Sequence, residues 1–474
     1  MKLCGVNLCF PGFNRADGAI QLPDDDDSEN FLQGITPIGN TSPDFLSFLA
    51  KNPEYNSPFL DALRHNDFKR LDDPCSPSCY MDYTGAGLYP ESLAKSFADQ
   101  LTKNVYGNPH SENPSSQLSS RANENAKQAV LSFIDANPNV YDVIWTSNAT
   151  GALKILAEGY PYQAGQSLVM SVDSHNSVNG MRAFADRAGA KVEYLELPDD
   201  LRGTTTRPER SSAAPGLFVA TAQSNITGLK APIHELVPLA SSLGYTTLLD
   251  AAALLPTSRL SLEKLHGSLD AVAFSIYKMV GLPTGLGALV IKKDYSRASQ
   301  TMVLWWNGSV ALTYWTVDQM TKIKHEVGTS PFILVRSPNI LLTKAEMAKL
   351  HGGLIAFEVM DKTGEYVSCD VIEYAASMKG ISLRAGCMCN PGGGASIMKT
   401  KEVVADFQSG ETKKDIQAKW GVRAAGLTRA SFGLASNFAD AFYFIKFMES
   451  LSRTGELERA ISNFYTKPRD VPAC

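Results

Sequence analysis

From about residue 90 to about residue 300 the chain alternates short apolar runs with helix-like stretches, and this alternation constrains the fold more than any other feature. Residues 167–172, 216–222, 245–249, 271–275 and 287–291 read as short buried strands. Helical patterns lie between several of them, for example at 177–188 and 233–243. Strands that alternate with helices build a mainly parallel sheet covered on both faces. Ligands bind such sheets at the carboxyl ends of the strands. After about residue 330 the texture changes. Residues 354–359 are strand-like, 372–379 helical and 437–451 amphipathic, and a Gly- and Cys-containing segment fills 386–394. The expected organisation is an irregular extension at 1–40, an N-terminal segment with a large α/β domain at 41–330, and a smaller α+β domain at 331–474.

Composition narrows the functional classes. The chain has 474 residues, 44% hydrophobic and 20% charged, which suits a soluble two-domain subunit with a large core. A net charge of -5 without a long basic run argues against nucleic acid or an anionic membrane as partner. No apolar run is long enough to span a bilayer. The short apolar start is interrupted by Asn7 and lacks a clear cleavage site, so it is not read as a signal peptide. Eight cysteines are too sparse for a disulfide scaffold, and a reducing, cytoplasmic compartment is expected. Cys75 and Cys79 alone fall short of a structural zinc site, and no metal is expected. The acidic run at 24–27 reads as a solvated linker. Three glycosylation sequons, at Asn148, Asn225 and Asn307, read as chance matches.

The strand ends carry the candidate chemistry. The apolar run from Ala271 ends in Ser275, Tyr277 and Lys278, and glycines follow at once. A buried lysine is costly unless paired, modified or functional, and a reactive amine in a desolvated pocket needs this setting. A lysine snorkelling to the surface is the alternative. Asp250 ends another apolar run, either as a carboxylate for a ligand or as a helix N-cap. Residues 146–152 put small residues, including Ala149 and Thr150, at the start of a helix, where backbone amides and hydroxyls meet an anion or are simply capped. His175 follows the run at 167–172, as a ring-stacking or proton-moving group or as a structural histidine. Asn225 lies in a polar cluster after the run at 216–222.

The order and local sequence of these pieces resemble class V aminotransferase-fold enzymes of the cysteine desulfurase group. They are most similar to the N-terminal domain of eukaryotic molybdenum cofactor sulfurases. The resemblance is carried by Ser275-Ile-Tyr-Lys-Met-Val-Gly-Leu-Pro-Thr-Gly-Leu-Gly-Ala288, by Leu383-Arg-Ala-Gly-Cys-Met-Cys-Asn-Pro-Gly392 and by Arg429-Ala-Ser-Phe-Gly433 with Asn437-Phe-Ala-Asp440. It runs from about residue 80 to 450. It implies fold type I of the pyridoxal-phosphate (PLP) transferases, a homodimer, and PLP on Lys278 as a Schiff base. It implies Asp250 at the pyridine nitrogen, His175 stacked on the ring, and Thr150, Ala149 and Ser275 at the phosphate. Asn225 would lie near the ring hydroxyl, with Tyr277 and Ser309 also lining the cofactor. Arg429, with Arg384 nearby, would hold the substrate carboxylate. Cys389 would be the persulfide-forming nucleophile, because the group's cysteine follows its arginine by five residues, as Cys389 follows Arg384. Cys387 is then a neighbouring accessory thiol.

The leading expectation is a desulfurase that moves sulfur from L-cysteine to Cys389, releases alanine and serves a sulfur-acceptor protein. The runner-up is a PLP-dependent carbon–sulfur β-lyase or decarboxylase-like enzyme of specialised metabolism. A third reading is a PLP-fold binding protein without catalysis. Several positions depart from the pattern. Trp305 and Trp306 replace a glycine-richer segment, and residues 408–426 lack the group's Cys-Gly-Asp. Tyr277 and Ala253 stand where simple desulfurases carry histidine and glutamine. The sulfurases also carry a C-terminal domain for their target cofactor. This chain ends at Cys474, and such a domain is expected from a partner if it is used.

Overall fold

The computed structural model describes residues 2–3, 6–7, 42–55, 57–73, 78–109, 113–197, 214–282, 285–293, 308–326, 332–406 and 413–466. The acidic run, Cys75, Trp305, Trp306 and Asn307 lie outside the described residues.

The apolar runs assemble into a seven-stranded sheet. Its spatial order is Tyr141–Thr146, Gly287–Lys292, Ala271–Ser275, Thr246–Asp250, Ala214–Thr221, Gln166–Ser171 and Lys191–Leu195. The last five strands pair in parallel, and Gly287–Lys292 runs antiparallel to both of its neighbours. Alternate side chains leave a strand on opposite faces, and here both faces are buried. Val143, Val169, Phe218, Leu249, Val272 and Val290 join one core cluster. Leu168, Leu217, Val219, Leu248, Ala273 and Leu289 join another. At roughly 1.5–3 kcal/mol per buried aliphatic or aromatic side chain, these two layers fix the register. The fold is the expected α/β class.

Two strands escape the apolar-run pattern, and both lie at edges. Lys191–Leu195 is buried along little of its length and carries a Lys191–Glu193 ion pair. Tyr141–Thr146 exposes Ile144. Edge strands need only one apolar face, so their sequences do not read as continuous hydrophobic runs. The helix expected at 177–188 is two short ones, Asn176–Asn179 and Arg182–Arg187, parted at Gly180.

A smaller antiparallel sheet follows, in the order Ile333–Ser337, Leu354–Met360, Leu427–Ser431 and Arg384–Gly386. Helix Phe438–Leu451 covers it and begins with a capping box between Asn437 and Asp440. Phe357, Ala430, Phe432 and Phe444 form its core together with Phe45, Phe48 and Leu60 from helices Pro43–Lys51 and Ser57–Asp67 and with Tyr55 between them. Arg64 reinforces that union through a buried 2.6 Å pair with Asp440. The expected division at residue 330 therefore cuts one core. We propose that residues 42–55, 57–73 and 78–81 belong with the smaller unit, because Phe45, Phe48, Tyr55, Leu60, Cys79 and Met81 are buried in its core.

Candidate active site

The strand ends converge as the alternating pattern predicts. Lys278 follows strand Ala271–Ser275 on the short helix Tyr277–Val280. Its backbone lies against Gly87, where a Cβ would come 2.7 Å from the Lys278 carbonyl oxygen. Burial lowers the proton affinity of the Lys278 amine, and the positive fields of Arg429 and Arg384 add to this while Asp250 opposes it. Asp250 is buried at the end of the neighbouring strand, and its Oδ1 accepts the Ala252 N–H at 3.0 Å. His175 shares the same field. Burial lowers its proton affinity, Asp250 raises it, and Lys278 and Arg384 lower it. The Ser177 N–H donates to His175 Nδ1 at 3.1 Å, which leaves the proton of the neutral ring on Nε2.

The helix Ala149–Gly159 opens beside Lys278. Asn148 caps it by accepting the Gly151 N–H at 2.8 Å, and Ser275 Oγ accepts the Ala149 N–H at 2.9 Å. Thr150 Oγ1 and Ser177 Oγ lie 2.6 Å apart, and Ser177 Oγ lies 2.8 Å from His175 Nδ1. Gly287 permits the close approach, since a Cβ there would lie 2.5 Å from Asn148 Cα. Tyr277 contributes its carbonyl, which accepts the Gly87 N–H.

The smaller unit supplies the rest. Arg429 is buried; its guanidinium donates to Asp82 at 2.6 Å and to the Asn225 carbonyl at 2.8 Å, and its Nε has no partner. Arg384 is largely exposed, 3.7 Å from the other Asp82 oxygen. Cys387 and Cys389 are both exposed and free, on either side of the buried Met388. Met388 and Cys389 have φ of 54° and 55°, the left-handed region that non-glycine residues seldom occupy. The Asn176 N–H donates to the Cys389 carbonyl at 2.7 Å, and Asn225 Nδ2 donates to the Met388 carbonyl at 2.7 Å. The cysteine turn is thus bonded directly beside His175.

Asn225 and Ser309 make further contacts. The Asn225 amide is engaged by the cysteine turn, with its Oδ1 also accepting from Asn390 at 3.0 Å. Ser309 is buried in its own smaller unit, where Gly353 packs against its Cβ. Helix Gly308–Met320 carries it, and Ala311, Leu312, Val317 and Met320 of that helix join the smaller unit's core. Sequence reading missed Asp82 and Asp173. Asp82 lies just before a glycine-rich turn and closes no apolar run, whereas Asp173 directly follows the run at 167–172, a signal that could have found it.

The residues suit PLP. A partly buried amine, a buried carboxylate, an imidazole and a helix N-terminus share one strand-end surface. The orphaned buried Nε of Arg429 suits a carboxylate ligand alongside.

A family model described as aminotransferase class-V matches residues 79–342. The chain is similar to the molybdenum cofactor sulfurase of Chaetomium globosum, at 29% identity over 87% of this chain and 60% of that protein. It is similar to those of Solanum lycopersicum, at 28% over 83% and 58%, and Danio rerio, at 28% over 82% and 54%. The chain thus spans between about half and three-fifths of the length of these relatives. In fold it resembles the apo cysteine desulfurase of Thermococcus onnurineus NA1, with a TM-score of 0.61 and 18% identity, covering 82% of this chain and 97% of that one. It also resembles the Escherichia coli cysteine desulfurase CsdA, with a TM-score of 0.60 and 19% identity, covering 85% and 98%.

Proposed function

Since the chain belongs to the aminotransferase class-V family, we propose that it is a PLP-dependent cysteine desulfurase that takes sulfur from L-cysteine onto Cys389 and releases alanine. One observation carries this reading. The turn that bears the exposed Cys389 thiol is hydrogen-bonded through the Cys389 carbonyl to the Asn176 N–H, beside His175, whose proton affinity both Asp250 and Lys278 affect.

Lys278 would hold the cofactor, with Asp250 at its pyridine nitrogen, His175 against its ring, and Ala149, Thr150 and Ser275 at its phosphate. When bound, PLP supplies an electron sink for the pair left at the substrate Cα. Lys278 Nζ takes the Cα proton, and its depressed proton affinity favours the neutral amine that this requires. Arg429 holds the substrate carboxylate, with Arg384 at the open side. Cys389 Sγ attacks as a thiolate, forming a sulfur–sulfur bond as the substrate Cβ–sulfur bond breaks. Thiol and cysteine thus become persulfide and alanine, with no net oxidation. Asn225, Tyr277 and Ser309 would complete the lining of the cofactor.

Purified protein loaded with PLP, incubated with L-cysteine and a reductant, is expected to yield alanine and sulfide in equal amounts. Cys389→Ala should lower both by ~10²-fold or more while keeping the cofactor. Pyruvate in place of alanine would overturn the reading in favour of a β-lyase.

The same reading includes a homodimer, a cytoplasmic location and a protein that accepts the sulfur. The dimer is supported by Phe97 and Leu101 on one face of helix Glu91–Lys103, which stand exposed with Val105 and Tyr106. Light scattering should give twice the chain mass. The cytoplasmic reading rests on the sparse cysteines of the sequence. No helix among the described residues is long and apolar enough to cross a membrane.

A further inference from the structure

The cysteine turn is held by a polar network that the chemistry above does not use. Asn390, fully buried, donates from Nδ2 to Asp173 Oδ1 at 2.7 Å and to Asn225 Oδ1 at 3.0 Å. Its Oδ1 accepts the Gly393 N–H at 3.0 Å. Asp173 is buried and accepts a second bond from Ser224 Oγ at 2.8 Å. Burial pushes its carboxyl up to about 6, against the pull of Ser224, Asn390 and Thr227. A carboxylate is costly in such a place unless its bonds repay it. The backbone beyond the turn is pressed onto the same strand end, since a Cβ on Gly393 would overlap Asp173 and one on Gly392 would overlap the Val172 carbonyl. A main-chain bond from the Asn176 N–H to the Cys389 carbonyl and a side-chain bond from Asn225 Nδ2 to the Met388 carbonyl complete the attachment.

We propose that Asp173 and Asn390 form a positioning clamp that fixes the Cys389 turn against the large sheet. The strained conformation of Met388 and Cys389 is the second mark of such a clamp. Two adjacent non-glycine residues at positive φ are costly, and they persist only where surrounding bonds over-determine the backbone. The clamp crosses from the large sheet to the smaller unit, so it acts on the thiol's place and not on the pocket for the cofactor. Its catalytic consequence rests on the reading of Cys389 as the nucleophile.

The test uses the full chain with PLP bound and compares wild type with Asn390→Ala, Asp173→Asn and the exchanged double variant Asp173→Asn with Asn390→Asp. Hydrogen exchange of residues 386–394 and the alkylation rate of Cys389 by iodoacetamide report on the turn without any turnover. Both are expected to rise by ~10-fold in the single variants, as local opening becomes easier, and to return toward wild type in the double variant, where donor and acceptor are swapped. With L-cysteine, kcat should fall by ~10-fold or more while KM and the cofactor absorbance hold. Wild-type exchange and alkylation in Asn390→Ala would overturn the clamp, whether or not Asp173→Asn folds. If wild type makes no alanine, the desulfurase reading falls, and exchange and alkylation still decide the clamp.

Discussion

Lys278 and Cys389 stand at the two sides of the candidate site, and they are placed by opposite means. Lys278 follows a strand buried on both faces, and its neighbours Asp250 and His175 follow parallel strands of the same sheet. Apolar burial fixes these positions, and the polar groups are at the carboxyl ends where the sheet stops. Cys389 has no strand beneath it. It sits on an exposed turn at positive φ, and what holds it is a set of hydrogen bonds from Asp173, Asn176, Asn225 and Asn390. A sheet-borne residue tolerates loss of one polar contact, because thousands of small dispersion contacts still locate it. A turn held by directed bonds does not. The difference assigns the two sides different weaknesses, and each can be probed.

The largest expected effect lies on the sheet side. Lys278→Ala removes the amine that holds the cofactor and moves the Cα proton. Alanine formation should fall by ~10³-fold or more, and the visible absorbance of PLP bound as a Schiff base should disappear, while the melting temperature of the apo protein stays close to wild type. A Lys278→Ala protein that still releases alanine at a tenth of the wild-type rate would break the comparison at its strongest point.

The sheet side was legible in the sequence for the same reason that it is robust. Apolar runs ending in Lys278, Asp250 and His175 announce both the strand and its functional end. The resemblance of the Ser275–Ala288 and Leu383–Gly392 stretches then joined them to Cys389. What holds the cysteine turn was not legible. Asn390 meets Asp173 across 217 residues of chain and Asn225 across 165, and no local periodicity encodes such a pairing. Arg64 with Asp440 is another case, separated by 376 residues. Side-chain hydrogen bonds of this reach depend on how two cores come together, and only the folded chain shows them.

The seam between the two regions gives the next effect. His351 is fully buried where the segment after Asn225 meets the smaller unit, with Leu229 bridged to it and the Lys230 N–H bonded to the Leu350 carbonyl. Among the described residues its ring nitrogens make no well-formed hydrogen bond beyond a contact with the Thr227 backbone. Burial holds its proton affinity down, from the ordinary 6.5 to about 4. The unfolded chain therefore binds a proton between these values that the folded chain does not. Stability from this group is complete above 6.5 and is lost as pH falls toward 4, by roughly 3 kcal/mol. Asp173 works the other way in the same window, because its raised carboxyl keeps a proton in the folded state up to about 6. The two contributions partly cancel in wild type. Denaturation of His351→Gln from pH 4 to pH 7 should expose the difference, its stability falling less than wild type as acid is added. Parallel pH profiles for the two proteins would show that the seam does not carry this term.

The smallest expected effects sharpen the comparison most, because they use the same change on each side. Gly287 and Gly393 both let backbone approach closely, the first against Asn148 at the helix opening and the second against Asp173 beneath the cysteine turn. Gly287→Ala and Gly393→Ala each insert one methyl group where a neighbour must move, and each should cost about 1–3 kcal/mol in folding stability. Their functional signatures should separate. Gly287→Ala displaces the capped N-terminus of Ala149–Gly159, so PLP should dissociate more readily while iodoacetamide reaches Cys389 at the wild-type rate. Gly393→Ala pushes on the Asp173–Asn390 contact, so Cys389 should react faster while PLP stays bound. Similar stability losses with crossed functional losses would mean that the sheet end and the turn are held independently. If both variants loosened both the cofactor and the thiol, the two sides would form one cooperative unit, and the hydrogen bonds across the seam would be fixing the sheet end as much as the turn.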